Sequence, residues 1–273
     1  MSSKPQESAA EDGWTHIKRG KGARHSKPTP SRPDPDRTMT VEILQANYEK
    51  CKRLWEASSC RKEFLQILDK KQPDDGWQLD SAICIASGSF SQIHTQRGKR
   101  GMLQFAAFMD TIIHVQKTSD EQIKVYAEEL VYNDIDIAFL TSLGVTVIVH
   151  SDPNKAQQSL QDPALFSHMG PQSMVFELYI DPWEPALRRL LKADPKLLVG
   201  SQPEKKLLSL VQAFPSATEC DDRALIKKFD KERASYYLPQ FDEDLGIFEG
   251  LRVCWKEPVD DESQISAKAT SFL

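Results

Sequence analysis

The chain is poor in the features that mark the most easily recognised protein classes. Its five cysteines, Cys51, Cys60, Cys84, Cys220 and Cys254, are odd in number, scattered and never spaced as Cys-x-x-Cys. That excludes a disulfide scaffold and a zinc or redox pair, and it points to reduced thiols in an intracellular compartment. No run approaches the roughly 18 apolar residues of a membrane span. The segment from Met1 to Pro5 opens no signal-peptide core, so a cytoplasmic protein with access to the nucleus, and no membrane partner, is expected. There is no G-x-G-x-x-G, no Gly-Lys-Ser/Thr phosphate loop and no G-x-S-x-G elbow. A net charge of -5 argues against wholesale nucleic-acid binding by the folded part.

What is present is ordinary globular material, 40% hydrophobic and 27% charged over 273 residues. That is enough for one sizeable α/β core without covalent staples. Residues 1–38 are dominated by Ser, Lys, Arg, Pro and Gly and cannot bury a core, so a disordered basic arm is expected there. Between Trp14 and Arg37 the cations Lys18, Arg19, Lys21, Arg24, Lys27, Arg32 and Arg37 face only Asp34 and Asp36. A nuclear-import or polyanion-binding tail has this pattern, as does a plain solvated arm, the commoner case. Nucleic acid is not expected as a partner except through this arm.

Residues 39–76 predict a helical preface. Val41, Leu44, Tyr48, Cys51, Leu54, Trp55, Leu65 and Leu68 recur at three- and four-residue steps, with an interruption at Ser58-Ser59 and a break at Pro73-Asp74-Asp75-Gly76. Residues 77–215 alternate strand and helix patterns, which predicts a three-layer Rossmann-like α/β domain with a mostly parallel sheet. Ser81–Ile85 reads as a strand buried on both faces. Met102, Phe105, Ala106, Met109, Ile112 and Ile113 give the buried stripe of the next helix. A short strand surrounds Ile123, Val125 and Ala127. Asn133 caps a helix over Asp134–Leu143 that stops at Gly144. The β-branched run Val145–Val149 predicts a central strand. Ser173–Ile180 and Lys196–Gly200 read as further strands. Asp181-Pro182-Trp183-Glu184 signals a helix start, and Pro203–Phe214 and Asp221–Arg233 read as helices. Residues 216–273 predict a C-terminal extension whose last ordered piece, Leu251–Lys256, alternates like an antiparallel edge strand.

The strand from Ser81 that ends at Gly88-Ser89-Phe90-Ser91 and leads into a helix is how a parallel sheet presents a binding loop. Together with Gln104-Phe105-Ala106, Gly144-Val145-Thr146-Val147, Met174-Val175-Phe176, Pro185-Ala186-Leu187 and the lead-in Gly13-Trp14-Thr15, it resembles the sensitivity-to-red-light-reduced (SRR-like) domain family. The likeness covers roughly residues 60–200. It implies an α/β fold and a regulatory protein with protein partners, in settings of light signalling, circadian regulation or haem metabolism. Two positions depart from the family. Ser87 stands where a Leu is usual before the glycine, and Asp181-Pro182-Trp183-Glu184 replaces a Met-Pro-His-Cys segment, so any His and Cys chemistry of relatives is missing here.

The candidate ligand site comprises Gly88, Ser89, Phe90, Ser91, His94, Glu128 and His150. Loop N–H groups ahead of a helix favour a small anion or nucleotide, and a carboxylate at a strand tip can hold ribose hydroxyls. Glu128, or its neighbour Glu129, lies further from Gly88 than the customary spacing, and a solvated loop carboxylate explains it equally well. Ser89, His150 and Asp152 can be drawn as a hydrolytic triad, but close neighbours such as His150 and Asp152 rarely supply one. His94, His114, His150 and His168 lack metal-ligand spacing. The expectation is therefore a regulatory or interaction protein with a small-ligand site at the Gly88 loop. The alternative is a nucleotide- or S-adenosylmethionine-dependent transferase using the same loop and Glu128.

Overall fold

Thr40 and Ser58 divide the first amphipathic stretch into two helices. The Thr40 hydroxyl accepts the Ile43 N–H (3.4 Å) and opens α1, Val41–Ala57. Ser58 ends α1 by donating its hydroxyl to the Trp55 carbonyl (2.7 Å) and opens α2, Ser59–Lys71, by accepting the Arg61 N–H (3.1 Å). The interruption read at Ser58-Ser59 is thus one residue capping two helices. Leu44, Tyr48, Trp55, Phe64 and Leu68 form the buried stripe, whereas Leu54, on the same periodicity, is 39% exposed.

The computed structural model describes residues 38–92, 95–119, 121–148, 167–178, 184–213 and 219–256. The basic arm, His94, His150, Asp152 and the Asp181-Pro182-Trp183 cap lie outside the described residues. In chain order the remaining elements are β1 (Ser81–Ile85), a 3-10 turn (Phe90–Gln92), α3 (Gln96–Gln116), β2 (Lys124–Glu128), α4 (Asp134–Ser142) and β3 (Thr146–Ile148). They continue with β4 (Ser173–Glu177), α5 (Glu184–Ala193), β5 (Leu197–Gly200), α6 (Pro203–Ala213), α7 (Glu219–Lys231), β6 (Arg233–Tyr237) and β7 (Arg252–Lys256).

The seven strands form one sheet in the order β3-β2-β1-β4-β5-β7-β6. β1 to β5 pair in parallel, and β7 alone runs the other way, antiparallel to both β5 and β6. This is the mixed α/β, mostly parallel architecture expected. Side chains alternate between its faces. Ala82, Cys84, Phe176 and Val199 join the cluster built with α1–α4, while Ile83, Ile85, Val175 and Leu198 join Leu187, Leu190, Leu207 and Phe229 of α5–α7. Burying each large side chain of this kind contributes about 1.5–3 kcal/mol.

Three expectations need correction. The β-branched run at 145–149 supplies β3, which is an edge strand among the described residues, exposed at Thr146 and half-buried beyond it. β-branching reports fit to a pleated surface and not position within the sheet. β7 is antiparallel as read, but it is not the edge: Arg233–Tyr237, included at its start in a predicted helix, pairs outside it as β6. Its successive Tyr236 and Tyr237, on opposite faces of the sheet, are 47% and 61% exposed, so the end of this edge strand is open on both sides. Ile113, placed on the buried stripe of α3, is 56% exposed.

Candidate functional site

Strand order reverses between β1 and β4, because the chain runs outward from β1 to β2 and β3 and then returns to add β4 and β5 on the other side. In doubly wound sheets that reversal opens a crevice at the carboxyl ends of the strands. The residues there are Ile85 closing β1, Glu128 closing β2, Glu177 closing β4 and Gly200 closing β5. Beyond β1 the backbone enters the left-handed region at Ala86 (φ 60°) and again at Gly88 (φ 73°). Only glycine adopts the second without strain.

The Gly88 loop is wired to α4 by a buried network. Asp136 accepts the Ser89 hydroxyl (2.7 Å), the Ser91 N–H (2.8 Å) and the Asn133 N–H (3.1 Å). Asn133 caps α4 by accepting the N–H groups of Ile135 and Asp136 and donates its amide to the Ser91 hydroxyl (2.6 Å). Burial raises the Asp136 carboxyl above its ordinary pKa, while the bonds from Ser89, Asn133, Ser91 and Phe90 oppose that rise. Gly88 donates its N–H to Glu129 Oε2 (2.8 Å), and the Ser87 and Tyr132 hydroxyls lie 2.6 Å apart. Burial also holds the Tyr132 phenol well above its ordinary range. Phe90 is wholly buried against Phe105, Tyr132 and Phe139. The loop N–H groups of Gly88 and Ser91 are thus taken by the chain's own carboxylates, Glu129 and Asp136.

Glu128 is 5% exposed and pairs in register with Ile85, next to the strand reversal. A parallel ladder carries in-register residues on one face, so Glu128 belongs to the same row as Ile85 and Glu177. Glu177 carries no motif that singles it out in the sequence, although it is an acid closing an apolar strand. It is fully buried, and its Oε2 accepts the N–H (2.8 Å) and hydroxyl (2.6 Å) of Ser201. Lys206 of α6 brings its Nζ to 3.5 Å from Oε1. Gly200 makes room for this carboxylate, since a Cβ there would stand 2.8 Å from Oε2. The structure thus brings Gly88, Ser89, Phe90, Ser91 and Glu128 to one sheet edge and adds Glu129, Asp136 and Glu177.

Other chemistry is thinly represented. Among the described residues no group of three His, Cys, Asp or Glu side chains has the placement of a metal site. No described helix is long and apolar enough to cross a membrane. His114 bonds Asp69 (2.6 Å), and His168 stacks on Tyr126 with ring centroids 4.1 Å apart. The five cysteines are free thiols, and burial pushes Cys60 up to about 12 and Cys254 up to about 11, which makes them poor nucleophiles.

A family model described as the SRR1 domain matches residues 60–244. Comparison with curated proteins finds no match. Among solved structures, one described as "Crystal structure of cofactor-bound Rv0187 from MTB" is similar at 15% identity with a TM-score of 0.36. The match covers 83% of this chain and 99% of that one.

Proposed function

This chain belongs to the SRR1 domain family, and from that premise we propose that it is a regulatory protein whose sheet binds a nucleoside-type ligand without phosphates, of the S-adenosylmethionine class. The observation that carries this reading is Glu128, a buried carboxylate on the last residue of β2, in register with the last residue of β1 beside the strand reversal. That is the position from which an acidic side chain receives ribose hydroxyls in doubly wound folds. Phosphate groups fit less well. The loop N–H groups that would cradle them are bonded to Glu129 and Asp136, and α3 begins only at Gln96, so its N-terminus is not the loop's continuation. The reading also takes up the family's settings of light, circadian or haem-related regulation, with action in cytoplasm and nucleus and partner contacts through the basic arm.

Calorimetry of the purified chain with S-adenosylmethionine, S-adenosylhomocysteine, ATP and NAD tests it. The two adenosyl-sulfur compounds are expected to bind, with Glu128→Ala weakening them by roughly tenfold or more, the scale of losing a hydrogen bond to a charged group. Silence across all four, or preference for the phosphate-bearing pair, overturns the reading. The transferase alternative uses the same loop and Glu128 and is separated from the regulator by a test for group transfer. Transfer of a labelled methyl group to a component of cell extract supports it, and binding without transfer supports the regulator.

A further inference from the structure

The two outermost strands of the sheet are built differently. β3 closes one side with three described residues, Thr146–Ile148, and shortness is one way a sheet blunts an edge. β6 closes the other with five, Arg233-Ala234-Ser235-Tyr236-Tyr237. It has neither the lysine nor the proline that commonly guards an edge, and its tyrosines favour strand pairing. Leu238 donates its N–H to the Leu251 carbonyl (3.0 Å). By the alternation of an antiparallel ladder, Ala234 and Tyr236 then turn their backbone groups to β7, and Arg233, Ser235 and Tyr237 turn theirs outward. No described residue pairs with β6 on that outer side. Ser235, Tyr236 and Tyr237 are all exposed, although the Tyr236 ring stacks on Trp255 with centroids 5.6 Å apart. A helix laid here covers one face of the sheet. An added strand continues the ladder and reaches the exposed rings on both faces.

We propose that β6 pairs with β6 of a second copy of this chain, antiparallel across a two-fold axis at Ser235, so that two sheets become one. The strand is its own complement in this register. Its outward residues are three with Ser235 in the middle, so Ser235 faces its counterpart and Arg233 faces Tyr237 of the second copy. Each of these is a pair that exchanges both backbone bonds. On the α1–α4 face the small Ala234 stands opposite Tyr236 of the second copy, which leaves room for the ring. On the other face the strand's one charge, Arg233, stands opposite an aromatic ring and never opposite its like. Asp194 already answers that charge (2.8 Å), so covering it strands no bare cation. Five residues a side bury much less than the roughly 1,200–2,000 Å² of a stable interface. The dimer is therefore reversible and depends on concentration. Two-fold pairing also uses up both β6 edges, so assembly stops at two.

The test is sedimentation velocity of the full chain from roughly 1 to 200 μM, the range in which a small interface associates, with residue-resolved amide hydrogen exchange at the same concentrations. The mass is expected to pass from monomer to dimer. The Ser235 and Tyr237 amides gain protection as it does so, while the Tyr236 amide, turned to β7, is protected throughout. Tyr237→Lys sets an ammonium group opposite Arg233 of the other copy and is expected to weaken the dimer at least about tenfold. Ser235→Pro removes an outward N–H and is expected to do the same. Circular dichroism checks the fold of each variant, and Tyr237→Lys, a change at an exposed side chain, decides alone should Ser235→Pro fail to fold. A dimer that Tyr237→Lys leaves intact, or whose Ser235 and Tyr237 amides stay unprotected, places the contact elsewhere and overturns the proposal. A monomer at every concentration overturns it as well, and protection of those amides in that monomer shows the edge covered by its own chain. Growth beyond the dimer contradicts two-fold closure.

Discussion

Asp136 gathers hydrogen bonds from two separate pieces of chain, the Gly88 loop and the entry to α4. Its replacement by alanine strands the Ser89 hydroxyl and the N–H groups of Ser91 and Asn133 in a buried place. With about 1–3 kcal/mol at stake for each unsatisfied buried group, Asp136→Ala is expected to cost roughly 3 kcal/mol or more in urea denaturation, and a loss under about 1 kcal/mol contradicts the network. Part of this residue's work is legible from local pattern. Asn133 followed three residues later by an acid is readable as a capping box, and the structure contains it. The long-range half, in which Asp136 fills the loop after β1, is invisible to local pattern because the partners lie more than 40 residues apart. The same limit hid Tyr132 beside Ser87 and Lys206 beside Glu177.

Elements were legible wherever short-range chemistry decides them. The break at Ser58-Ser59, the cap at Asn133 and the apolar strands at 81–85 and 196–200 follow from side-chain period and turn residues. Placement within the sheet did not follow. β3 has the composition of a central strand and is an edge, while β6 carries no strand signal in the sequence and only its first residue, Arg233, falls in a predicted helix. The antiparallel pair β6–β7 is anchored by Asp194, which precedes β5 and takes Arg233 of β6 (2.8 Å) and Lys256 of β7. Burial works to raise the Asp194 carboxyl, but the bonds from Lys256 and Arg233 and their positive charges prevail and hold it below its ordinary value of 3.8. A carboxyl with a depressed pKa in the folded state stabilises above its unfolded pKa, and that contribution is lost as pH falls through the folded value. Asp194→Asn is therefore expected to destabilise the chain at pH 7 and progressively less as pH drops below about 4. Denaturation midpoints of the two proteins across that range check the sign, and a gap that widens on acidification contradicts it.

At the scale of the molecule, the sheet is wider than the stretch whose alternating strand and helix patterns announced it. β6 and β7 continue the sheet beyond β5, and Val253 and Trp255 enter the same core as Trp55, Phe64 and Leu68 of the two leading helices. A fragment of residues 77–215 would expose the face that α1 and α2 cover and leave β5 as a bare edge, a template for aggregation. It is expected to be insoluble or to lack the near-ultraviolet signature of fixed aromatic packing, whereas residues 38–256 fold. A cooperative, monomeric 77–215 fragment contradicts a core shared across all the layers.

The carboxyl edge is where fold and function meet, since Glu128 and Glu177 reach it only because the strand order turns back at β1. The most direct measurement is the electron density of the full chain crystallised with S-adenosylhomocysteine. The expected result is ligand lying across the carboxyl ends of β1, β2 and β4, with its ribose hydroxyls within hydrogen-bond distance of Glu128. Ligand bound away from that edge, or a saturated crystal with the edge filled by side chains alone, contradicts it.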